Sequence, residues 1–319
     1  MKARFDGWPR VAVMGAGAVG CYFGGMLARA GVSVTLIGRA RHAEAIARDG
    51  LLLDSIHFQE RVRVVASTSA EAAREADLVF FCVKTVDTEE AARTLAPHLA
   101  DDAVVISLQN GVDNADRIRA LTGIDVVPAV VYVAAEMTVP GHVRHTARGD
   151  LVVGATVESR KSKVESGKAG WLVDDIAALF INAGVPCRVS EDIRVDLWTK
   201  LVMNCAYNAI SALTRAKYGR IVREPATRAM MLQVVAECAA VARAAGVELS
   251  EAALASAASG LGEAMNDALS STAQDVARGK RTEIDSLNGY IARMGDELGV
   301  ATPVNRTLHA LVKLLEPGA

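Results

Sequence analysis

The sequence predicts an α/β domain, with a parallel sheet covered by helices on both faces, followed by an all-α domain. Three observations carry this prediction. RVAVM at 10–14, DLVFFCVK at 77–84 and AVVISLQN at 103–110 are continuous apolar runs separated by helical stretches, the pattern of strands buried on both faces. A glycine-rich turn, GAGAVG, follows the first run and opens a helix. After about Asp192 no strand pattern recurs, and long helical segments fill the rest.

Taken in order, RVAVM is the first strand and CYFGGMLARAG a helix ending at Gly31, after which VSVTLIG (32–38) is the second strand. A helix from about Thr88 to Leu99 joins the third and fourth strands. From 126 to 154, VVPAVVYVAA, HVRHTAR and DLVVGA form three short strand candidates, divided at Pro140-Gly141 and Gly149-Asp150. They predict an antiparallel meander added to the parallel sheet. ESRKSKVESGK (158–168) is a polar surface loop, followed by a helix at about 170–183 that Gly184 closes and by a short strand, VPCRVS. Helices are expected at 192–213, 224–246, 250–279, 281–298 and 303–315. The domains are therefore 1–190, nucleotide-binding, and 191–319, helical.

The composition suits such a protein. Of the 319 residues 51% are hydrophobic and 23% charged, enough for a sizeable core. A net charge of -2 argues against nucleic acid as the main partner. Cys21, Cys82, Cys187, Cys205 and Cys238 contain no C-x-x-C pair and read as small core hydrophobes in a reducing compartment. No run reaches the ~18 apolar residues of a membrane span, and MKARFDGWPR lacks the apolar core of a signal peptide. The expectation is a soluble cytoplasmic protein without a membrane partner. The apolar helix MMLQVVAECAAVARAAGV offers a face for a homodimer.

G-x-G-x-x-G alone is weak evidence in a chain with 26 glycines, but its place between strand and helix makes it specific. The loop Gly15, Ala16, Gly17, Ala18, Val19 and Gly20 is the candidate diphosphate cradle. Gly15 permits the tight turn, Gly17 admits the pyrophosphate, and Gly20 lets helix and strand pack closely, with the helix N-terminus facing the anion. At the end of the second strand, where an NAD site normally has a carboxylate, the chain reads IGRARHAE. A guanidinium binds a 2′-phosphate that a carboxylate would repel, so the cofactor is NADP(H), with Arg39 as its contact. Arg41 reads equally well as a solvated helix-start charge.

LWTKLVMNCAYNAI (197–210) is the most informative stretch of the second domain. Lys200, Asn204 and Asn208 recur every four residues and form one stripe on an otherwise apolar helix. Buried polar groups need partners, since each costs roughly 2–7 kcal/mol to desolvate alone. No G-x-S-x-G elbow or Ser/His/Asp order suggests a hydrolase. His142 and His145 point to opposite faces of a strand and lack a third ligand, so no metal is expected. With no histidine beside a candidate reactive centre, Lys200 is the candidate proton donor.

VAVMGAGAVG, DLVFFCVKT, SLQNGVDN, LWTKLVMNCAYNAISALT and QDVARGKRTEIDSLNGYI occur in this order from residue 11 to residue 291. In these motifs the chain resembles the ketopantoate reductases, and K-L-x-x-N-x-x-x-N together with R-T-E-I-D-x-x-N-G is far more specific than the glycine loop. The resemblance implies a Rossmann-type domain and a helical domain of the 6-phosphogluconate dehydrogenase C-terminal type. It implies NADPH-dependent reduction of 2-dehydropantoate to D-pantoate in pantothenate biosynthesis, with Lys200 as general acid. It places Asn110 beside nicotinamide and substrate, and Asn204, Asn208 and Ser271 on the substrate. It places Lys84, Ala135 and Glu283 near the cofactor, Glu283 also at the hydroxyl end of the substrate.

Two positions depart from the family pattern: Asp87 stands where many members have glutamine, and Tyr218 where some have an asparagine that contacts the pantoate end. They leave room for another branched or aromatic 2-oxo acid.

Ketone reduction needs a hydride on carbon and a proton on oxygen, and an ammonium stabilises the developing alkoxide and then protonates it. The expectation is that Lys200 lies close to Glu283 in an interdomain cleft, a neighbour that keeps it charged. By default a lysine near a helix start, and a Glu283 or Ser271 in a polar helical segment, would be solvent-exposed. The ordered motifs reverse that default. A dehydrogenase of the 6-phosphogluconate and 3-hydroxyacid type is disfavoured, because it carries adjacent asparagines, K-x-x-N-N, near its lysine. A non-catalytic NADP-binding sensor would have no need of Lys200, Glu283 and Asn110 together.

Overall fold

The computed structural model describes residues 8–154 and 173–317; the 158–168 loop lies outside them. Contacts divide the chain into two compact units, Met1–Ile193 and Arg194–Ala319.

The strands of the first unit are β1 (Val11–Met14), β2 (Val34–Ile37), β3 (Leu51–Asp54), β4 (Gln59–Val62), β5 (Val65–Ser67), β6 (Leu78–Phe81), β7 (Val104–Ser107), β8 (Val126–Val139), β9 (His142–Val153) and β10 (Cys187–Val189). They run side by side as β4-β3-β9-β8-β7-β6-β1-β2-β5, with β10 paired to β9. From β8 through β7, β6, β1 and β2 to β5 every pairing is parallel. The chain steps from β1 to β2 in one direction and later adds β6 and β7 on the other side, so the strand order reverses between β1 and β6. In open sheets of this kind the crevice for a ligand lies there, outside the carboxyl ends of the strands.

Helices α1 (Ala18–Arg29), α2 (Ala40–Asp49), α3 (Thr88–Leu95), α4 (Asn114–Thr122) and α5 (Val173–Asn182) accompany the sheet. Two apolar layers account for the continuous strands. Val11 and Val13 join Phe23, Leu27, Ile176 and Phe180 in one layer, while Ala12 joins Ala92, Leu95 and Ile118 in the other. Successive residues of a strand point to opposite faces, so a strand covered on both sides has no polar alternate.

The region 126–154 differs from the expectation. Two long strands replace the three-stranded meander: β8 is parallel to β7 and antiparallel to β9. Gly149-Asp150 is no turn but lies within β9, where Arg148 and Gly149 have φ of 59° and 118° and the register slips near Tyr132 and Val133. This is a bulge. A side chain on Gly149 would collide with the Tyr22 hydroxyl. The short strands β3, β4 and β5 escape sequence reading, since three or four residues, apolar in β3 (LLLD) and mostly polar or small in β4 and β5, are too few to mark a strand without their partners.

The second unit is helical: α6 (Ile193–Thr214), α7 (Tyr218–Arg223), α8 (Pro225–Ala244), α9 (Glu251–Ala264), α10 (Ser271–Ala277), α11 (Asn288–Leu298) and α12 (Pro303–Lys313). The single helix expected over 250–279 is broken. α9 ends near Met265, and Ser270 starts α10 by accepting the Ala273 N–H on its hydroxyl. The helix expected over 281–298 begins only at Asn288, after one 3-10 turn at Ile284–Ser286. α7 was not anticipated. In α8, the helix offered as a dimer face, Met231, Val234, Val235, Cys238, Val241 and Ala242 are buried within the unit's own core. Among the described residues no helix is long and apolar enough to cross a membrane.

Candidate active-site residues

In the first unit the glycine loop stands at the reversal point. Gly15 has φ +113°, and a Cβ on it would lie 2.7 Å from the Cys82 carbonyl carbon and the Val83 nitrogen. The loop is therefore pressed against the chain leaving β6. A Cβ on Gly20 would strike the Gly15 carbonyl oxygen and lie 2.8 Å from the Val13 side chain, whereas one on Gly17 would meet nothing within 4 Å. Two of the glycines are required by packing, and the middle one leaves its space open. α1 starts at Ala18 with no side-chain cap on its N-terminus, leaving backbone donors for an anion. Ala16 is buried, Ala18 and Val19 half-buried and Gly17 exposed.

Around this loop the other predicted residues fall at strand ends. The N–H groups of Gly15 and Ala16 donate to the Ile37 carbonyl at the end of β2, at 3.0 and 2.9 Å. Arg39, two residues on, is exposed at the start of α2, with exposed Arg41 in its first turn. Half-buried Lys84 follows β6, and half-buried Asn110 follows β7. Ala135 is further from this edge in sequence position: it sits within β8 opposite His145 and packs on the apolar layer.

The Q-N-G motif is held by residues that sequence reading missed. Gln109, 5% exposed, donates to the Val83 carbonyl (3.1 Å) and the Thr88 hydroxyl (2.8 Å) and accepts from Ser107. The Asn110 carbonyl accepts from Thr85 Oγ1 at 2.9 Å and from Asn114 Nδ2 at 2.6 Å. These bonds tie the end of β7 to the end of β6. Buried polar side chains flanking a glycine were the available signal.

In the second unit α6 is buried over most of its length from residue 201 on: Leu201, Val202, Cys205, Ala206, Tyr207, Ala209 and Ile210 are at most 1% exposed. Lys200 and Asn204 are half-buried and Asn208 is 3% exposed. Thiols supply no alternative nucleophile here. Burial pushes Cys21 up to about 12, and burial first, then Cys238, pushes Cys205 well above the usual thiol value.

Three segments meet at the far end of the stripe. The Asn208 carbonyl accepts from Ser270 Oγ at 3.3 Å, the Tyr218 hydroxyl lies 3.4 Å from Asn208 Oδ1, and the Tyr218 ring stacks on Tyr207 with centroids 4.3 Å apart. Burial, then Tyr207, raises the Tyr218 phenol, so it is a neutral hydroxyl at pH 7. Predicted Ser271 is exposed at the first position of α10; its neighbour Ser270, which was not singled out, makes the contact with Asn208.

Much of R-T-E-I-D-x-x-N-G is held by contacts within the second unit. Thr282 donates its N–H and hydroxyl to Glu316. Ile284 is fully buried. Asp285 lies 2.7 Å from His309 Nε2 and accepts Lys313 Nζ at 2.9 Å. Asn288 donates to the Cys205 carbonyl of α6 and to Asn305. A Cβ on Gly289 would stand 2.8 Å from His309 Nε2, so glycine keeps that imidazole in place. Glu283 is half-buried and starts the 3-10 turn.

His142 and His145 make separate local contacts, with Asp54 and with Ser55 and the Arg148 carbonyl. Among the described residues no group of three His, Cys, Asp or Glu could hold a metal ion.

Comparison with known proteins agrees with this layout. The family described as ketopantoate reductase PanE/ApbA matches residues 11–158, and its C-terminal domain family matches residues 192–316. A 2-dehydropantoate 2-reductase of Archaeoglobus fulgidus is 34% identical over 97% of this chain and 98% of its own length. One from Pyrococcus horikoshii is 32% identical over 96% and 97%. Among solved structures, a PanE/ApbA family ketopantoate reductase from Ralstonia eutropha JMP134 is 53% identical, with a TM-score of 0.87 over 96% of this chain and 98% of that one. D-mandelate dehydrogenase with NADH, 23% identical with a TM-score of 0.86, shares the fold.

Proposed function

Because this chain belongs to the ketopantoate reductase family, we propose that it reduces 2-dehydropantoate to D-pantoate with NADPH, in pantothenate biosynthesis. The observation that carries this reading is the Lys200, Asn204 and Asn208 stripe on a buried helix, in a chain whose relatives bear that activity in their names over nearly their whole length.

Bound NADPH would supply the hydride. The residues fit such a cofactor, since Gly17 faces open space, Gly15 is packed against the β6 end and the α1 N-terminus has no side-chain cap. Gly15, Ala16, Gly17, Ala18, Val19 and Gly20 would hold the diphosphate, and Arg39 a 2′-phosphate. Lys84, Asn110, Ala135 and Glu283 complete this binding set on the family resemblance.

Lys200 polarises the 2-oxo group and gives its Nζ proton to the oxygen as carbon is reduced. Asn110, Asn204, Asn208 and Ser271 satisfy the substrate's polar groups without adding charge. Glu283 lies at the hydroxyl end of the substrate on the same resemblance. In this reading residues 1–190 supply most of the cofactor contacts and Asn110, and 191–319 supply the acid, Glu283 and the other substrate contacts.

A second reading concerns substrate alone. The half-buried Tyr218 ring, backed by the fully buried Tyr207, puts an aromatic face beside Asn208, which suits a 2-oxo acid with a bulky branched or aromatic tail. NADPH oxidation followed with ketopantoate and with a panel of such acids tests both. Good turnover of another acid without turnover of ketopantoate rejects the substrate and keeps the chemistry. Oxidation with none of them would leave an NADP-binding sensor.

A further inference from the structure

The turn that carries Glu283 is held from the far end of the chain. On its near side, Thr282 is fully buried and gives both its N–H (2.8 Å) and its hydroxyl (2.6 Å) to Glu316 Oε1. The same hydroxyl accepts the Ile284 N–H at 3.2 Å. On the other side, Asp285 meets His309 at 2.7 Å and Lys313 at 2.9 Å, and the Lys313 ammonium also reaches Glu316 Oε2 at 2.6 Å. Lys313 therefore closes a ring through both carboxylates, with Glu283 between the two pinned residues.

The ring is charged at neutral pH. Asp285 is held below the usual carboxylate range, first by its hydrogen bond to His309 and, against burial, by Lys313. Burial would raise Glu316, but Lys313 and Thr282 outweigh it and lower the group. The helix that supplies His309 and Lys313 is itself anchored at its start, where Glu237 accepts the N–H groups of Val304 and Asn305 and the Asn305 side-chain amide.

Stability is a poor reason for such an arrangement. The Lys313 and Asp285 side chains are about a third exposed, where ion pairs add little stability, and the best-attested use of less exposed ionic clusters is to specify one geometry. We propose that Lys313 and Glu316 are positioning residues for Glu283: they fix the backbone of Thr282 to Asp285 and so the direction of the Glu283 carboxylate. This rests on the reading of Glu283 as a site residue.

The test is a set of double-mutant cycles on the full chain, with kcat and KM for ketopantoate, or for the 2-oxo acid it reduces best, and with Tm recorded for each variant. Lys313→Met and Glu316→Gln each lower kcat about tenfold, the scale of a displaced catalytic contact. Lys313→Arg, which can bridge both carboxylates, retains activity. In a Glu283→Gln background the same substitutions add almost nothing, because they act through the group already lost. Losses that multiply in that background would show a general structural effect and overturn the proposal. So would unchanged kcat in both single variants. Should Glu316→Gln fail to fold, the half-exposed Lys313 carries the cycle alone. The two readings fail differently: full activity in Glu283→Gln removes the role of Glu283 and the clamp with it, whereas loss there with Lys313→Met unchanged removes only the clamp.

Discussion

A side chain on Gly15 would place its Cβ 2.7 Å from the Cys82 carbonyl carbon, at a backbone φ of +113° that disfavours any L-residue. The glycine loop and the chain leaving β6 can approach this closely only with glycine at that position. Gly15→Ala should cost about 1–3 kcal/mol in backbone strain and raise the KM for the nicotinamide cofactor. Thermal unfolding and cofactor titration read the two effects. A variant of wild-type stability with an unchanged KM would contradict the contact.

Lys200 is half-buried one residue before the part of α6 that packs in the core. Lys200→Ala should lower kcat by roughly 10²–10⁴, the usual range for loss of a positioned general acid, while cofactor binding measured by fluorescence stays near wild type. Unimpaired reduction of 2-oxo acids would remove Lys200 from the mechanism.

Arg39 follows β2 by two residues and is exposed where a ribose phosphate would be read. Removing hydrogen bonds to a charged group costs about 1.5–3 kcal/mol. Arg39→Ala should therefore weaken NADPH roughly ten- to a hundredfold and leave NADH unaffected. Equal losses with the two cofactors would argue against a 2′-phosphate contact.

The Tyr218 hydroxyl and ring touch different partners, Asn208 and Tyr207. Tyr218→Phe keeps the stack and should change the substrate profile by no more than a few-fold. Tyr218→Asn removes the aromatic face and should shift kcat/KM from bulky 2-oxo acids toward ketopantoate. Identical profiles in all three proteins would place Tyr218 outside the substrate site.

Asp285 makes stability depend on pH with a definite sign. Its folded value lies below the ordinary one, which for an unfolded aspartate is about 3.9. The stabilisation is thus fully present above about pH 4 and is lost as pH falls through the folded value. The Tm difference between wild type and Asp285→Asn should be widest near neutrality and narrow in acid. A gap that widens on acidification would reverse this assignment.

Strands β1, β2, β6 and β7 and helices α6, α8 and α12 are legible because each bears a strong local pattern: an apolar run, or a 3.6-residue period over several turns. The role of Gly20 is legible for a similar reason, since its nearest contacts, Gly15 and Val13, lie within one strand-turn-helix unit, whereas Gly15 answers to Cys82 and Val83 after β6. The bulge at Arg148 and Gly149 looked like a turn because a glycine with positive φ serves both. Only the neighbouring strand β8 decides between them.

The site divides the same way. Lys200, Asn204 and Asn208 follow from helical spacing alone, because a four-residue repeat puts them on one face wherever the helix lies. Nothing local joins Thr282 to Glu316, Asp285 to His309 or Ser270 to Asn208. Those pairs lie 24 to 62 residues apart in sequence, at 34 for Thr282 and Glu316. The sequence by itself thus determined the main parallel strands, the longest helices and the polar stripe, through short-range periodicity and backbone sterics. The tertiary structure alone decided which distant side chains hold the Glu283 turn and the end of the stripe, because hydrogen bonds and ion pairs act over a few ångströms of space and carry no trace along the chain.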